Sequence, residues 1–171
     1  MASRRKGRIL AFQALYSWDA HYSQTGDTSI PEGLLDFSWT QKSEDAPALT
    51  AELTVFARLL VTGTVENISA IDDMIKKHLK NWELERLNRV DLAVLRMSVY
   101  TLMFQTDMPP TIVIDEAIGI SKEFGSDDSF RFINGILDNI RKTVEAAASK
   151  EASASKETAA SSETGTGQKN D

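Results

Sequence analysis

The chain has 171 residues, 42% of them hydrophobic and 26% charged, with a formal net charge of −6 and no cysteine. That length supplies one ordinary globular core and falls short of two large ones. The missing thiols exclude disulfides, thiolate metal sites and cysteine nucleophiles, so packing alone must hold the fold.

The charge is unevenly spread. Arg4, Arg5, Lys6 and Arg8 place +4 on the first eight residues, against −10 on the other 163. The run that follows contains Gln13, Tyr16, Trp18 and Asp19, unlike the apolar core of a signal peptide. No stretch nears eighteen consecutive apolar residues, so a soluble cytoplasmic protein without a membrane partner is expected.

In chain order, Ile9, Phe12, Leu15 or Tyr16, and Asp19 or Ala20 predict a first helix with one buried stripe. Residues 21–50 are rich in turn formers and acids. Within them Ser29 as N-cap, with Pro31 and Glu32 in the first turn, predicts a short helix carrying Leu34, Leu35 and Phe37. A second long helix starts near Thr50 and carries Leu53, Phe56, Leu59 and Leu60, with Gly63 to end or bend it. Val65, Ile68, Ile71 or Asp72, Ile75 and Leu79 mark the next, with Lys76, Lys77 and Lys80 near the end where cations favour the helix dipole.

Trp82 precedes a further stripe: Leu84, Leu87, Asp91, Val94 or Leu95, Ser98 and Leu102. Its interior, "DLAVLRMSVYTLMF", is apolar almost all round and predicts the central, most buried helix. Pro109 and Pro110 stop it. "TIVIDEAIGISKEFG" opens on β-branched residues, either an extended entry or a first helical turn, and is helical beyond Asp115 with Gly125 as its C-terminal cap. Asp127 or Asp128 caps a last helix that buries Phe132 or Ile133, Ile136 or Leu137, Ile140 and Val144. There is no strand pattern and no internal repeat. From about Ala146 no large apolar residue remains to bury, which predicts a disordered tail after a frayed helical start. The chain thus divides into a basic arm (1–8), an all-helical domain (9–145) and a low-complexity tail (146–171).

Enzyme signatures are scarce in the sequence. His21 and His78 lack metal-ligand spacing, and no phosphate-loop, dinucleotide or nucleophile-elbow motif occurs, so neither cofactor nor catalytic group is assigned. Asp72-Asp73, Asp115-Glu116 and Asp127-Asp128 are adjacent and point apart on a helix. The last two pairs stand where helix starts favour anions.

The basic start is harder to dismiss. Cations oppose the dipole at a helix N-terminus, so their placement there points to binding of nucleic-acid phosphates; the plain alternative is a solubilising terminus. Near the other end, "SFRFINGILDNI" puts Phe130 and Phe132 around Arg131. At i, i+2 they cannot share one core, so one lies at the surface beside Lys122 or Arg131, as a stacking platform for an unpaired base or as a rim residue on the preceding loop. Gly135 inside this helix costs about 1 kcal/mol against alanine, which predicts close approach by another helix or by the N-terminal segment.

Three stretches together resemble the NusB family of transcription antitermination factors. "RRKGRILAFQALYSW" is similar to its arginine-rich start and A-x-Q-x-L-Y segment. "NWELERLNRVDLAVLRMSVYTL" resembles its D-x-x-x-L-R-x-x-x-Y-E-L helix, and "PPTIVIDEAIGISKEFGSDDSFRFINGILDNI" its V-x-I-N-E-A-x-x-x-A-K-x-F-G and F-V-N-G-V-L-D signatures. The likeness runs from about Arg4 to Arg141, with departures at Thr101, Asp115 and Ser121, where the family often has Glu, Asn and Ala.

The resemblance implies an all-α fold of two three-helix bundles packed roughly crosswise. It also implies a non-catalytic role: pairing with the small-subunit ribosomal protein called NusE, binding single-stranded boxA RNA in ribosomal RNA leaders, and helping to load other Nus factors on RNA polymerase. On this likeness Arg4, Arg5, Lys6 and Arg8 meet RNA phosphates, and Phe132, with Arg131 and Lys122, contacts bases. Asp128 sits close to the RNA, and Tyr16 and Asp91 face NusE. Some family members are homodimers, so a homodimer is possible here. Two other readings stand beside it. A fragment of an RNA cytosine methyltransferase fits poorly without a cysteine, and a helical protein-interaction module would not bind RNA directly.

Overall fold

A computed structural model of the chain describes residues 2–46 and 48–163. Among them the elements are α1 (Ala2–Thr25), α2 (Ala51–Glu66), α3 (Ile68–His78), α4 (Arg89–Phe104), α5 (Pro110–Phe124) and α6 (Ser129–Glu163), with 3₁₀ segments at Ser38–Lys42 and Leu84–Arg86. They form two three-helix bundles, α1–α3 and α4–α6. Helix α4 joins the bundles, since it packs against each of the other five. Its sequence explains this: every side chain from Asp91 to Leu102 is buried, so the helix has no face to give to water.

The departures from family type at Thr101 and Ser121 fall inside this core, where each hydroxyl is satisfied by its own helix. Thr101 Oγ1 donates to the Met97 carbonyl at 3.2 Å, and Ser121 Oγ to that of Ala117 at 2.7 Å.

An ion triad lies at the junction of the bundles. Arg96 of α4 donates from Nη1 to Asp19 Oδ1 of α1 at 2.7 Å, and from Nε and Nη2 to the two carboxylate oxygens of Asp72 of α3, each at 2.9 Å. The Trp18 and Tyr22 rings lie 6.0 and 5.6 Å from the guanidinium carbon. Burial works against the Arg96 charge, but the bonds and charges of Asp72, then Asp19, outweigh it and hold its pKa above the ordinary value. The adjacent acids are thereby separated, Asp72 buried and Asp73 exposed.

Several expectations are corrected by local backbone chemistry. The short helix expected after Ser29 does not form: residues 32–36 are turns. Gly33 at φ +82° and Phe37 at φ +57° take left-handed conformations that end any helix there. Leu34 and Phe37 are still buried, and the loop is tied down by the indoles of Trp18 and Trp39, which donate to the Ser29 and Leu34 carbonyls. Helix α5 includes the β-branched turn whose state was open, because Pro110 starts it at N1 behind Pro109.

Thr50 caps α2, accepting from Leu53 N at 3.2 Å. Gly63 does not end that helix, which runs on to Glu66. It is buried under Tyr100, whose ring a Cβ at this position would overlap. Gly135, by contrast, has no atom within 4 Å of where its Cβ would be, so the close approach expected there is absent. Gly135→Ala is therefore expected to stabilise the fold by about 0.5–1 kcal/mol, read as a higher urea midpoint at unchanged slope.

Helix α6 runs past the core. Residues 146–160, expected as disordered tail, continue it with every side chain exposed, so alanine-rich propensity rather than packing carries this stretch. Residues 164–171 of that tail lie outside the described residues. The basic arm is no separate segment over residues 2–8: it forms the first turns of α1.

Candidate nucleic-acid interface

Helical periodicity sorts the four N-terminal cations. Position 8 belongs to the inward stripe that continues through Ala11, Leu15 and Trp18, and Arg8 is only 6% exposed. Its guanidinium lies 4.0 Å from Glu116 and 5.5 Å from the centre of the Phe56 ring. Burial, the largest influence, lowers its pKa despite the Glu116 charge. Arg8 is thus a packing residue under α2 and is withdrawn from the phosphate contacts.

Arg4 and Lys6 remain exposed, and Arg5 is half-buried. Arg5 lies across α5, its Nη1 2.6 Å from where a Cβ on Gly119 would stand, and Nη2 pairs with Glu123 at 3.1 Å. A glycine at 119 is what lets the guanidinium reach that far. On the same helix Lys122 is exposed, with Nζ 4.9 Å from the centre of the Phe130 ring, and Arg131 lies 5.5 Å from the same ring. One strip therefore crosses three helices: Arg5 of α1, Lys122 of α5, and Phe130 with Arg131 of α6.

The aromatic residue beside the cations is thus Phe130, not Phe132. The two are separated by about 200° around the helix. Phe132 instead walls a cavity of about 240 Å³ with Trp82, Arg86, Leu87, Asn88 and Asp91. Asp128 is exposed just ahead of α6, where its carbonyl accepts from Phe132 N at 3.4 Å.

The two residues expected to face a protein partner differ in accessibility. Tyr16 is 43% exposed on α1. Asp91 is buried, 7% exposed, and its Oδ1 has no hydrogen-bond partner. Burial is the main influence on this carboxyl and pushes its pKa up; the Ser129 hydroxyl opposes it. Asp91 therefore lies in a cavity wall rather than on an open face.

Sequence reasoning left Phe130 and Phe132 open as the ring beside the cations, with the family resemblance pointing to Phe132, and it missed Trp82 as part of the cavity. The signal for that was a tryptophan outside every apolar stripe. Among the described residues no group of three or more His, Asp or Glu is placed to hold a metal, and no helix is long and apolar enough to cross a membrane.

Comparison with known proteins identifies the family. A family model described as the NusB family matches residues 5–142. Transcription antitermination protein NusB of Treponema pallidum strain Nichols is 50% identical over 140 residues, covering 82% of this chain and 93% of that protein. The protein of the same name from Treponema denticola is 49% identical over 138 residues, covering 81% and 95%.

Among solved structures, T. maritima NusB superposes with a TM-score of 0.66 at 37% identity, covering 81% of this chain and 90% of that one. A crystal structure of antitermination factors NusB and NusE in complex with double-stranded RNA gives 0.69 at 27% identity, covering 84% and 98%. With two three-helix bundles, a family model matching residues 5–142 and 50% identity to such a relative over 140 aligned residues, the chain belongs to the NusB family of transcription antitermination proteins.

Proposed function

We propose that this protein binds boxA-type RNA of ribosomal RNA leaders together with the ribosomal protein NusE, and that the pair recruits further Nus factors to RNA polymerase. The strip Arg5, Lys122, Phe130 and Arg131 carries the proposal, because phosphate-seeking cations flank a ring suited to stacking a base. Arg4, over the Phe56 ring of α2, and Lys6 flank Arg5 on opposite sides of α1 and add positive charge around it, and Asp128 limits affinity near the RNA by repulsion. Tyr16, with an apolar ring and a polar tip at the surface, supplies an anchor for NusE, and Asp91 contributes to that side from its cavity. The solved NusB–NusE relative holding RNA supports the pairing of these partners.

The test is a gel shift of the full chain with added NusE on a single-stranded boxA-like RNA, its scrambled control and a duplex of the same sequence. Preference for the boxA single strand over both is expected; equal binding to scrambled RNA would sink the proposal. A second reading, a protein-interaction module without RNA, draws on an apolar face of α2 where Val55 and Leu59 are 63% and 50% exposed. It requires RNA binding to be unchanged when the strip is neutralised.

A further inference from the structure

We propose that the cavity at the junction of the two bundles, floored by Asp19, Asp72 and Arg96, binds a guanosine phosphate, either as a free nucleotide or as one unpaired nucleotide of an RNA. The cavity shares no lining residue with the strip around Phe130 or with the cavity of Trp82.

The floor is the first observation. Asp19, Asp72 and Arg96 are each more than nine-tenths buried and line a space of about 370 Å³ between α1, α3 and α4. Sites for small molecules run from roughly 300 to 1,000 Å³ and favour such places between helices. Two carboxylates share one guanidinium here, so acceptor capacity is left over. Asp19 spends Oδ1 on Arg96, and its Oδ2 accepts no hydrogen bond from a described residue. Arg96 commits one N–H from Nε and one from each Nη, which leaves one donor on each Nη unspent. Buried acceptors thus stand beside buried donors.

Guanine matches that floor. Its pairing edge carries two adjacent donors, N1–H and the N2 amino group, beside the O6 acceptor; the donors meet carboxylate oxygens while O6 meets Arg96. Adenine turns the N1 lone pair towards the carboxylates instead and leaves them unpaired, which a polar site rejects strongly. A plain ammonium ligand would satisfy the carboxylates but leave the Arg96 donors idle.

The walls and rim are the second observation. Leu84, Leu92 and the Tyr22 ring give the base apolar surface, and Tyr22 is itself held by stacking on Trp18 at a centroid distance of 4.5 Å. Lys76 and Arg89 stand in the same lining, exposed and in no ion pair among the described residues. Glu85, the remaining charged group of the lining, offsets one of them. The other positive charge is left for an anion, which is where a phosphate carried by the buried base comes out towards water.

Calorimetric titration of the full chain tests this with guanosine monophosphate, adenosine monophosphate, and short single-stranded uridine oligomers with and without one central guanosine. Guanosine monophosphate is expected to bind about tenfold or more tighter than its adenosine counterpart. Lys76→Gln with Arg89→Gln is expected to weaken it about tenfold at an unchanged melting temperature, since both are surface groups. Asp19→Asn should erase the preference for guanine over adenine. Its melting temperature should stay near that of the wild type, because Asp72 still holds Arg96 through two bonds.

Binding of the monophosphate assigns the site to a free nucleotide, whereas a preference for the guanosine-containing oligomer without it assigns the site to RNA. Either result supports the inference when the Lys76, Arg89 variant loses it. Should Asp19→Asn melt well below the wild type, that rim variant decides alone. Equal affinity for the guanosine and adenosine probes, no binding of any probe, or guanosine binding that survives the rim change overturns the inference. Neither NusE nor boxA RNA enters the titration, so its failure leaves the proposed function standing.

Discussion

Arg96→Ala is expected to destabilise the fold by about 3–5 kcal/mol, because it leaves the Asp19 and Asp72 carboxylates buried without their shared cation. The three residues come from three helices, so the loss loosens the joint between α1, α3 and α4 together. Urea denaturation followed by circular dichroism would show the midpoint falling at nearly constant slope. Adding Asp19→Asn and Asp72→Asn to the same chain should recover most of the loss, since what costs energy is the uncompensated charge and not the missing arginine as such. A loss below about 1 kcal/mol in Arg96→Ala would mean that water reaches the carboxylates and that the triad does not fasten the bundles.

The second large effect concerns RNA. Replacing Arg5, Lys122 and Arg131 with glutamine, together with Arg4 and Lys6, is expected to weaken boxA RNA binding in the presence of NusE by about a hundredfold at moderate salt. Phe130→Ala alone should cost about tenfold, the scale of one lost stacking contact, with the fold little affected because the half-buried ring is not part of the hydrophobic core. Arg8→Gln belongs to another class: it disturbs the packing of α1 beneath Phe56 and is expected to lower stability, not salt-dependent RNA affinity. Fluorescence anisotropy of a labelled RNA, with a urea midpoint for each variant, separates the two classes.

These residues show how far the sequence could be read. The stripes of α3 and α4 were legible because apolar side chains at helical spacing leave little choice of buried face, and the all-round apolar α4 announced its central place, whereas in α2 Leu59, expected within the stripe, is 50% exposed. Polar residues inside a stripe carried a signal that charge counting hides. Asp19 and Asp72 each stand as one of two alternatives for a stripe position, and Arg96 lies inside the most apolar stretch of the chain, yet only the three-dimensional meeting of α1, α3 and α4 shows that they neutralise one another.

Arg8 erred in the same way. Counted as part of a basic arm it looked like its neighbours, whereas four residues from Phe12 it falls on the inward face. The loop at 29–37 failed for a local reason, since the Ser29 hydroxyl is committed to Asp27 and Gly33 and Phe37 adopt left-handed backbone.

The choice between Phe130 and Phe132 was out of reach, because adjacency to Arg131 favours neither. It is decided by which ring Lys122 of α5 reaches, a contact between helices. Asp91 was seen as a partner residue, but its burial and its unpaired oxygen depend on how Trp82 and Phe132 close around it.

The most direct measurement is the salt dependence of boxA RNA affinity, with NusE present, for the wild type and the Arg5, Lys122, Arg131 triple glutamine variant. If the strip together with Arg4 and Lys6 holds about four phosphates, the log–log slope of the wild type is roughly −3 and that of the variant is shallower by about 2. Equal slopes for the two proteins, or a flat response in the wild type, would contradict the assignment of RNA binding to this surface.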